Sequence, residues 1–327
     1  MTHLSPCIDR PDVESSSLPH LPHGVLIVNK PDGWTSHDVV MRVRAVFGIQ
    51  KVGHAGTLDP HATGVLPILI GKGTKIAQYL LDWDKEYLAV LQLGQKTDTQ
   101  DAWGALLEDL PCHALSEDAV RAAFKHFHGT IQQVPPMYSA VKIGGQPLYK
   151  KARKGQTVER QAKAVVIHDL EIQRMALPEV SFRVACSKGT YVRTLCEDIG
   201  DRLGVGGHLK WLQRSRVGPL HLDQAINMES LTDGLKYGGA FCSLDHVLAV
   251  FPVATVNGDD ARKVLHGNAI SWSRVEMTEG EVVSATPEED RRVRVKSKDG
   301  VLLALGKGPS LQSGQNSPVL VVDTVLG

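Results

Sequence analysis

The segment Gly53-His54-Ala55-Gly56-Thr57-Leu58-Asp59-Pro60-His61-Ala62-Thr63-Gly64 sets one carboxylate in a glycine-framed stretch, five residues after a histidine. Its glycines permit positive φ and close backbone approach. Pro60 disfavours helical geometry at Asp59, so that carboxylate is expected to project from a loop, where it could act on a substrate. The same punctuation also marks an ordinary turn. Three further clusters carry reactive side-chain types. Lys85-Glu86-Tyr87 places a phenol at the start of a strand, and Leu93 to Asp101 ends that strand in a loop holding Asp98 and Asp101. Ser187-Lys188-Gly189-Thr190-Tyr191-Val192-Arg193 puts an arginine in the first turn of a predicted helix, where the helix dipole disfavours a cation. A surface ion pair, worth about 0–1 kcal/mol, would also account for Arg193. Its position beside Gly189 reads as that of a placed counter-ion. Taken singly, each cluster is weak.

The elements that must position these groups follow from periodicity. Val25–Asn29 reads as a buried strand running into the turn Lys30-Pro31-Asp32-Gly33. Ser36 is the expected N-cap of a helix carrying Val39, Val43, Val46 and Phe47 and closed by Gly48. Val65–Ile70 and Tyr87–Gly94 are expected strands. Ser116 caps a helix with Ala119, Val120, Ala123, Phe124 and Phe127 on one face, and Gly129 lies beyond its end. Ala164–Ile172 and Val180–Ser187 are further strands, and Thr190 is the expected cap of the helix bearing Arg193, with Leu195, Ile199 and Leu203 at i, i+4 and i+8. Between Pro135 and Arg160 periodicity fails, and Lys142, Lys150, Lys151, Arg153, Lys154 and Arg160 alternate with Pro, Gly and Tyr. A mobile, cationic insertion outside the core is expected there. From Phe251 onward short strands dominate, with a hairpin of 292–296 and 301–305 about Asp299-Gly300.

At 327 residues the chain suggests about two domains. A mixed α/β region is expected over 24–250, with a central, largely antiparallel sheet flanked by helices, then a small β-rich domain over 251–327. Residues 1–23 read as a loose tail without the apolar segment of a signal peptide. Five scattered cysteines, with no C-x-x-C, argue against a disulfide framework or structural zinc and fit a reducing cytoplasm. The longest apolar run, Val65–Ile70, is too short to span a bilayer. The formal net charge is zero, yet residues 121–220 hold 17 basic and 7 acidic side chains, a local excess of +10. That block is a candidate footprint for phosphate.

Several familiar sites are excluded by spacing. Gly71-Lys72-Gly73-Thr74 lacks the Walker pattern, no G-x-G-x-x-G opens a helix, and neither H-E-x-x-H nor G-x-S-x-G occurs. His126-x-His128 at a helix end reads as decoration, so no metal or cofactor is expected.

Taken in order, Lys30-Pro31-x-Gly33-x-Thr35-Ser36-His37, the Gly53–Pro60 segment, Lys85-x-Tyr87, Leu93-Gly94-Gln95-x-Thr97-Asp98-Thr99-x-Asp101, Pro135-Pro136-Met137-Tyr138-Ser139-Ala140 and Ser187–Thr194 resemble the TruB family of pseudouridine synthases. The resemblance spans about residues 24–220. It implies isomerisation of uridine 55 in the T-loop of tRNA, without a cofactor or an obligatory protein partner, by a monomeric cytoplasmic enzyme. It also implies that Asp59 is the nucleophile, that Arg193 pairs with it, and that Tyr87 stacks on the base. His54, Tyr191 and Leu212 would line the RNA site, Asp101 would organise Arg193, and Lys150, Lys151 and Arg153 would lie in a thumb over about 138–160. Lys30 and Pro31 would support the catalytic loop, and the terminal segment would be a PUA-like RNA-binding domain. Two other readings share these motifs: the guide-RNA-dependent dyskerin-type branch, and a tRNA-folding chaperone that works without turnover.

Overall fold

The computed structural model describes residues 23–233, 238–278, 291–311 and 317–327. The expected tail thus lies outside the described residues, except for His23. The main body is an eleven-stranded sheet. Its principal strands are β1 (Gly24–Lys30), β2 (Thr63–Ile70), β3 (Lys85–Leu93), β4 (Gly129–Gln133), β5 (Lys163–Ala176), β6 (Glu179–Cys186) and β7 (Gly207–Val217). They run in the order β1-β2-β7-β3-β6-β5-β4, with Ile226–Asn227 beyond β1. All pairs along this path are antiparallel except β2–β7 and the Ile226–Asn227 edge. The largely antiparallel sheet expected from the sequence is therefore present. β7 is the exception to local connectivity: it inserts between β2 and β3 from more than a hundred residues downstream.

Helices cover the sheet where its alternation is apolar. Helix α1 (Ser36–Phe47) lays Val39, Val40 and Val43 on Leu26, Val28, Leu66, Ile68 and Ile70. Helices α2 (Glu117–His126) and α3 (Val192–Arg202) cover the other half of the sheet. There Phe124 meets Phe182 edge-on at 5.3 Å, and Leu195 and Ile199 bury completely. Two helix caps differ from expectation by one residue. Thr35, not Ser36, caps α1: its hydroxyl accepts from Asp38 N while Asp38 accepts from Thr35 N, a reciprocal capping box. Tyr191, not Thr190, precedes α3, because the Thr190 hydroxyl is already donated to Ser187 O.

A second, six-stranded sheet contains Val253–Val256, Arg292–Ser297, Leu302–Ser310 and Val319–Val325, with Gly258–Leu265 as its helix. The expected hairpin pairs Arg292 with Lys307 through Lys296 with Leu302. This sheet abuts the main body through Leu305 and Leu326, a Tyr79 Oη–Thr324 Oγ1 bond of 3.1 Å and an Arg294–Asp245 ion pair of 2.8 Å. No helix among the described residues is long and apolar enough to cross a membrane.

Gly64 on β2 pairs with Arg214 on β7. Its φ is +102°, and a Cβ there would lie 2.2 Å from the Arg214 carbonyl oxygen. Gly64→Ala is accordingly expected to destabilise the fold by more than about 2 kcal/mol, measured by denaturant unfolding. A native-like midpoint would show that the two strands can part without cost.

Candidate active site

The Asp59 loop leaves the end of the short strand Val52–His54 and re-enters the sheet at β2, and it is held from three sides. Lys30, fully buried at the end of β1, donates from Nζ to Pro31 O, Trp34 O and Pro60 O at 2.9, 2.6 and 2.7 Å. Burial pulls its pKa down to about 8. Ser36, freed from capping, turns inward and accepts from Leu58 N at 2.9 Å. Arg214 on β7 donates from Nη2 to Gly56 O and from Nε to Val65 O, at 2.9 and 2.8 Å. Three buried side chains thus anchor backbone carbonyls or amides on both sides of Asp59, whose own side chain keeps 44% of its exposure.

Opposite lies Arg193, 5% exposed in the first turn of α3. Its Nε is 2.9 Å from Asp59 Oδ2 and its Nη2 is 3.4 Å from Asp59 Oδ1, so the guanidinium meets the carboxylate side-on. The remaining donors go to Thr99 O at 3.0 Å and Tyr138 O at 2.8 Å. Asp101 Oδ2 stands 3.9 Å from Nη1, a second negative charge at longer range. Planar Arg donors suit this fork of acceptors, and such pairs fix orientation as well as charge. The buried cation is compensated by two carboxylates and two carbonyls, as its desolvation demands. Gln100, between Thr99 and Asp101, adopts φ +64° without being glycine. Its amide accepts from Thr194 Oγ1 at 2.9 Å and donates to Glu197. That strained turn presents the Thr99 carbonyl to Arg193.

Tyr87 sits on β3 directly across from Arg214 on β7, and its ring packs against the same core cluster as Leu212. Burial raises the phenol pKa, opposed by the positive charge and hydrogen bond of Arg214, while Asp59 adds to the rise. The phenol is therefore neutral at physiological pH. Leu212 is 8% exposed. His54 is held neutral by burial and by the nearby charge of Arg214, and its Nδ1 finds no hydrogen-bond partner among the described residues. Tyr191 is held through its backbone, with N donating to Gln133 Oε1 at 3.0 Å and O accepting from Gln133 Nε2 at 3.2 Å. Its phenol is also raised, chiefly by burial, and it feels both Arg193 and Asp59. The charge of Asp59 thus reaches Lys30, Tyr87 and Tyr191, so the expected residues converge from β1, β3 and the start of α3.

The basic segment is more ordered than its sequence suggested. It holds a hairpin of Lys142–Ile143 with Gln146–Pro147 and a short helix, Leu148–Ala152, whose Leu148 is fully buried. Leu148 N donates to Val141 O, Tyr149 N to Ser139 O, and Arg160 Nη1 to Pro135 O, tying both ends of the segment to its stem. Lys150, Arg153 and Lys154 are exposed, Lys151 is half-buried, and the Arg153 guanidinium lies over the Tyr149 ring at 5.6 Å. Lys150, Arg153 and Lys154 line a shallow pocket with Gly145, Gln146 and Pro147. Because Tyr138 O accepts from Arg193, the stem of this basic segment begins at the Asp59–Arg193 pair.

Two contributors escaped the sequence reading. Arg214 is 1% exposed and touches both the Asp59 loop and Tyr87. Its signal was its phase: it lies two positions beyond Leu212 on one strand, at a position where an apolar side chain is expected. Gln100 carried no signal beyond its place between Thr99 and Asp101.

This architecture matches that of known pseudouridine synthases. A chain in the crystal structure of a Cbf5–Nop10–Gar1 complex superposes with a TM-score of 0.72 and 27% identity, covering 94% of this chain and 85% of that one. A chain of an H/ACA ribonucleoprotein bound to a substrate RNA containing 2'-deoxyuridine gives 0.70 and 25%, covering 94% and 86%. The model of the TruB family pseudouridylate synthase N-terminal domain matches residues 44–192, and that of the tRNA pseudouridylate synthase B C-terminal domain matches 193–249. The tRNA pseudouridine synthase B of Burkholderia pseudomallei (strain 668) is 45% identical over 87% of this chain and 92% of its own length. That of Thermobifida fusca (strain YX) is 44% identical over 91% and 98%. The chain belongs to the TruB family of pseudouridylate synthases.

Proposed function

We propose that this pseudouridine synthase acts on uridine 55 in the T-loop of tRNA, with Asp59 as its nucleophile. The observation that carries the proposal is the side-on Arg193–Asp59 pair, with the guanidinium buried and the carboxylate partly open to solvent. An anion held in place on one side and accessible on the other suits attack on a bound nucleoside. The reaction breaks the N1–C1' bond, turns the uracil, forms C5–C1', releases the C5 proton and protonates N1. It is an isomerisation, so no cofactor is consumed. A covalent adduct or a glycal-type intermediate at Asp59 divides it into easier steps.

The target base must leave its stack, which costs a few kcal/mol, and an aromatic pocket offsets part of that cost. Tyr87 supplies the ring and Leu212 the apolar wall. His54 and Tyr191, neutral through burial, line the RNA site without adding charge. Asp101 reinforces the orientation of Arg193 from 3.9 Å. The six-stranded terminal sheet serves as a PUA-like RNA-binding domain, and the protein works as a cytoplasmic monomer. Relatives at 44–45% identity named tRNA pseudouridine synthase B favour tRNA over a guide-RNA-dependent target.

Incubating the protein alone with an unmodified tRNA transcript and mapping pseudouridine tests this reading. One product at position 55 is expected. Modification elsewhere, or only after a guide RNA is added, overturns it. The exposed cations of the basic segment are expected to clamp the RNA backbone. Replacing Lys150, Lys151, Arg153 and Lys154 with glutamine should weaken tRNA binding and flatten the dependence of log affinity on log salt by about 0.7–0.9 for each phosphate that is no longer neutralised. An unchanged slope would show that these side chains do not touch phosphate.

A further inference from the structure

His61 and Trp103 form a coplanar stack that the chemistry described above does not use. Their ring centroids are 3.9 Å apart and the planes differ by 3°. His61 lies two residues after Asp59, and Trp103 two residues after Asp101. Two residues span at most about 7 Å, so the stack lies close to the two carboxylates that face Arg193. The imidazole Nδ1 is 3.0 Å from Asp32 Oδ1, and the backbone amide of Trp103 donates to Asp101 Oδ1 at 3.2 Å, so the imidazole and the main chain that carries the indole are both held. One indole face is under the imidazole, yet Trp103 remains 50% exposed, which leaves its opposite face to solvent. A single exposed tryptophan is unremarkable. A flat aromatic pair joining the Asp59 loop to the Asp101 loop is a built surface.

We propose that the open face of Trp103, backed by His61, is a second base-stacking platform for an unpaired nucleobase of the RNA loop, separate from the pocket that takes the reacting uridine. The proposal rests on the RNA-modifying reading of the site. It commits to a nucleobase because an indole face matches the area of a base, and because the loop around an everted uridine exposes unpaired neighbours. Stacking on an aromatic side chain tolerates any base identity. The preset orientation of both rings reduces the ordering cost of binding. The platform would hold the loop open while the target base occupies the pocket between Tyr87 and Leu212.

A set of unmodified T-stem-loops, each with one loop nucleotide made abasic, tests the platform against the native protein, Trp103→Ala and Trp103→Phe. Dissociation constants come from anisotropy, and turnover is followed separately. Native protein should lose about tenfold in affinity at one loop position other than the target. Trp103→Ala should lose about tenfold on the intact loop and nothing more at that position, whereas Trp103→Phe retains most of the affinity. Native affinity in Trp103→Ala, or losses that multiply with the abasic site at every position, overturns the platform. Loss of self-association in place of RNA affinity would assign the stack to contact between copies and overturn it as well. If native protein binds the loop with the expected pattern but makes no pseudouridine, the proposed target fails while the platform stands. A thermal melt of Trp103→Ala separates loss of binding from loss of fold.

Discussion

Asp59→Asn is expected to reduce pseudouridine formation by at least about 10⁴-fold while leaving tRNA affinity within a few-fold of native. The amide keeps the shape and one acceptor oxygen of the carboxylate but loses its charge and its nucleophilicity. Arg193 keeps its bonds to Thr99 O and Tyr138 O, and Asp101 still stands 3.9 Å away, so the guanidinium is not left without acceptors. Because Asp59 is 44% exposed, solvent screens part of the lost pairing, and the melting temperature should fall by only a few degrees. Tritium release from C5-labelled uridine in tRNA is the direct measurement. Release at the native rate would remove Asp59 from the chemistry. Any assistance to tRNA folding should survive the substitution, because it depends on binding and base eversion rather than on bond breaking. The one variant therefore separates an enzyme from a chaperone that also carries the motif.

The parts legible in the sequence were those in which local pattern and spatial role coincide. Val25–Val28 and Val65–Ile70 are continuous apolar runs because both faces of their strands are covered, one by α1 and the other by a second core cluster. Asp59 was legible because glycine and proline fix a loop whatever surrounds it. Arg193 stood out because it contradicts the helix dipole, and its partner across 134 positions supplies the reason. The one-residue cap errors are of another kind. Thr35 and Ser36 can both cap, and the choice follows from Ser36 being needed by the Leu58 amide on a neighbouring loop. Thr190 failed as a cap through its local bond to Ser187. Arg214 shows the limit most clearly. Its role depends on β7 entering between β2 and β3, which sets it against Gly64 on one side and Tyr87 on the other. Strand order of that kind is written in no local window. The cationic 135–160 segment looked structureless because from residue 140 to 160 only Leu148 is buried, too sparse a signal to set a period.

Arg193→Lys keeps the charge and removes the geometry, so it asks which of the two the site needs. The guanidinium serves Asp59 Oδ2, Asp59 Oδ1, Thr99 O and Tyr138 O from one rigid plane. An ammonium has three tetrahedral donors on a shorter reach, so at least one of those acceptors goes unserved. If it settles on the carbonyls, Asp59 swings free. If it settles on Asp59, the carbonyl of Tyr138 loses its donor and the stem of the basic segment loosens. Either way the carboxylate is no longer held at the angle needed for attack, and a loss of preorganised orientation of this kind typically costs about 10²–10³ in turnover. Charge alone would predict almost no change. Single-turnover rates at saturating tRNA discriminate the two: a value within a few-fold of native would reduce Arg193 to a counter-ion, whereas the expected collapse makes the planar fork the feature that α3 exists to deliver to the Asp59 loop.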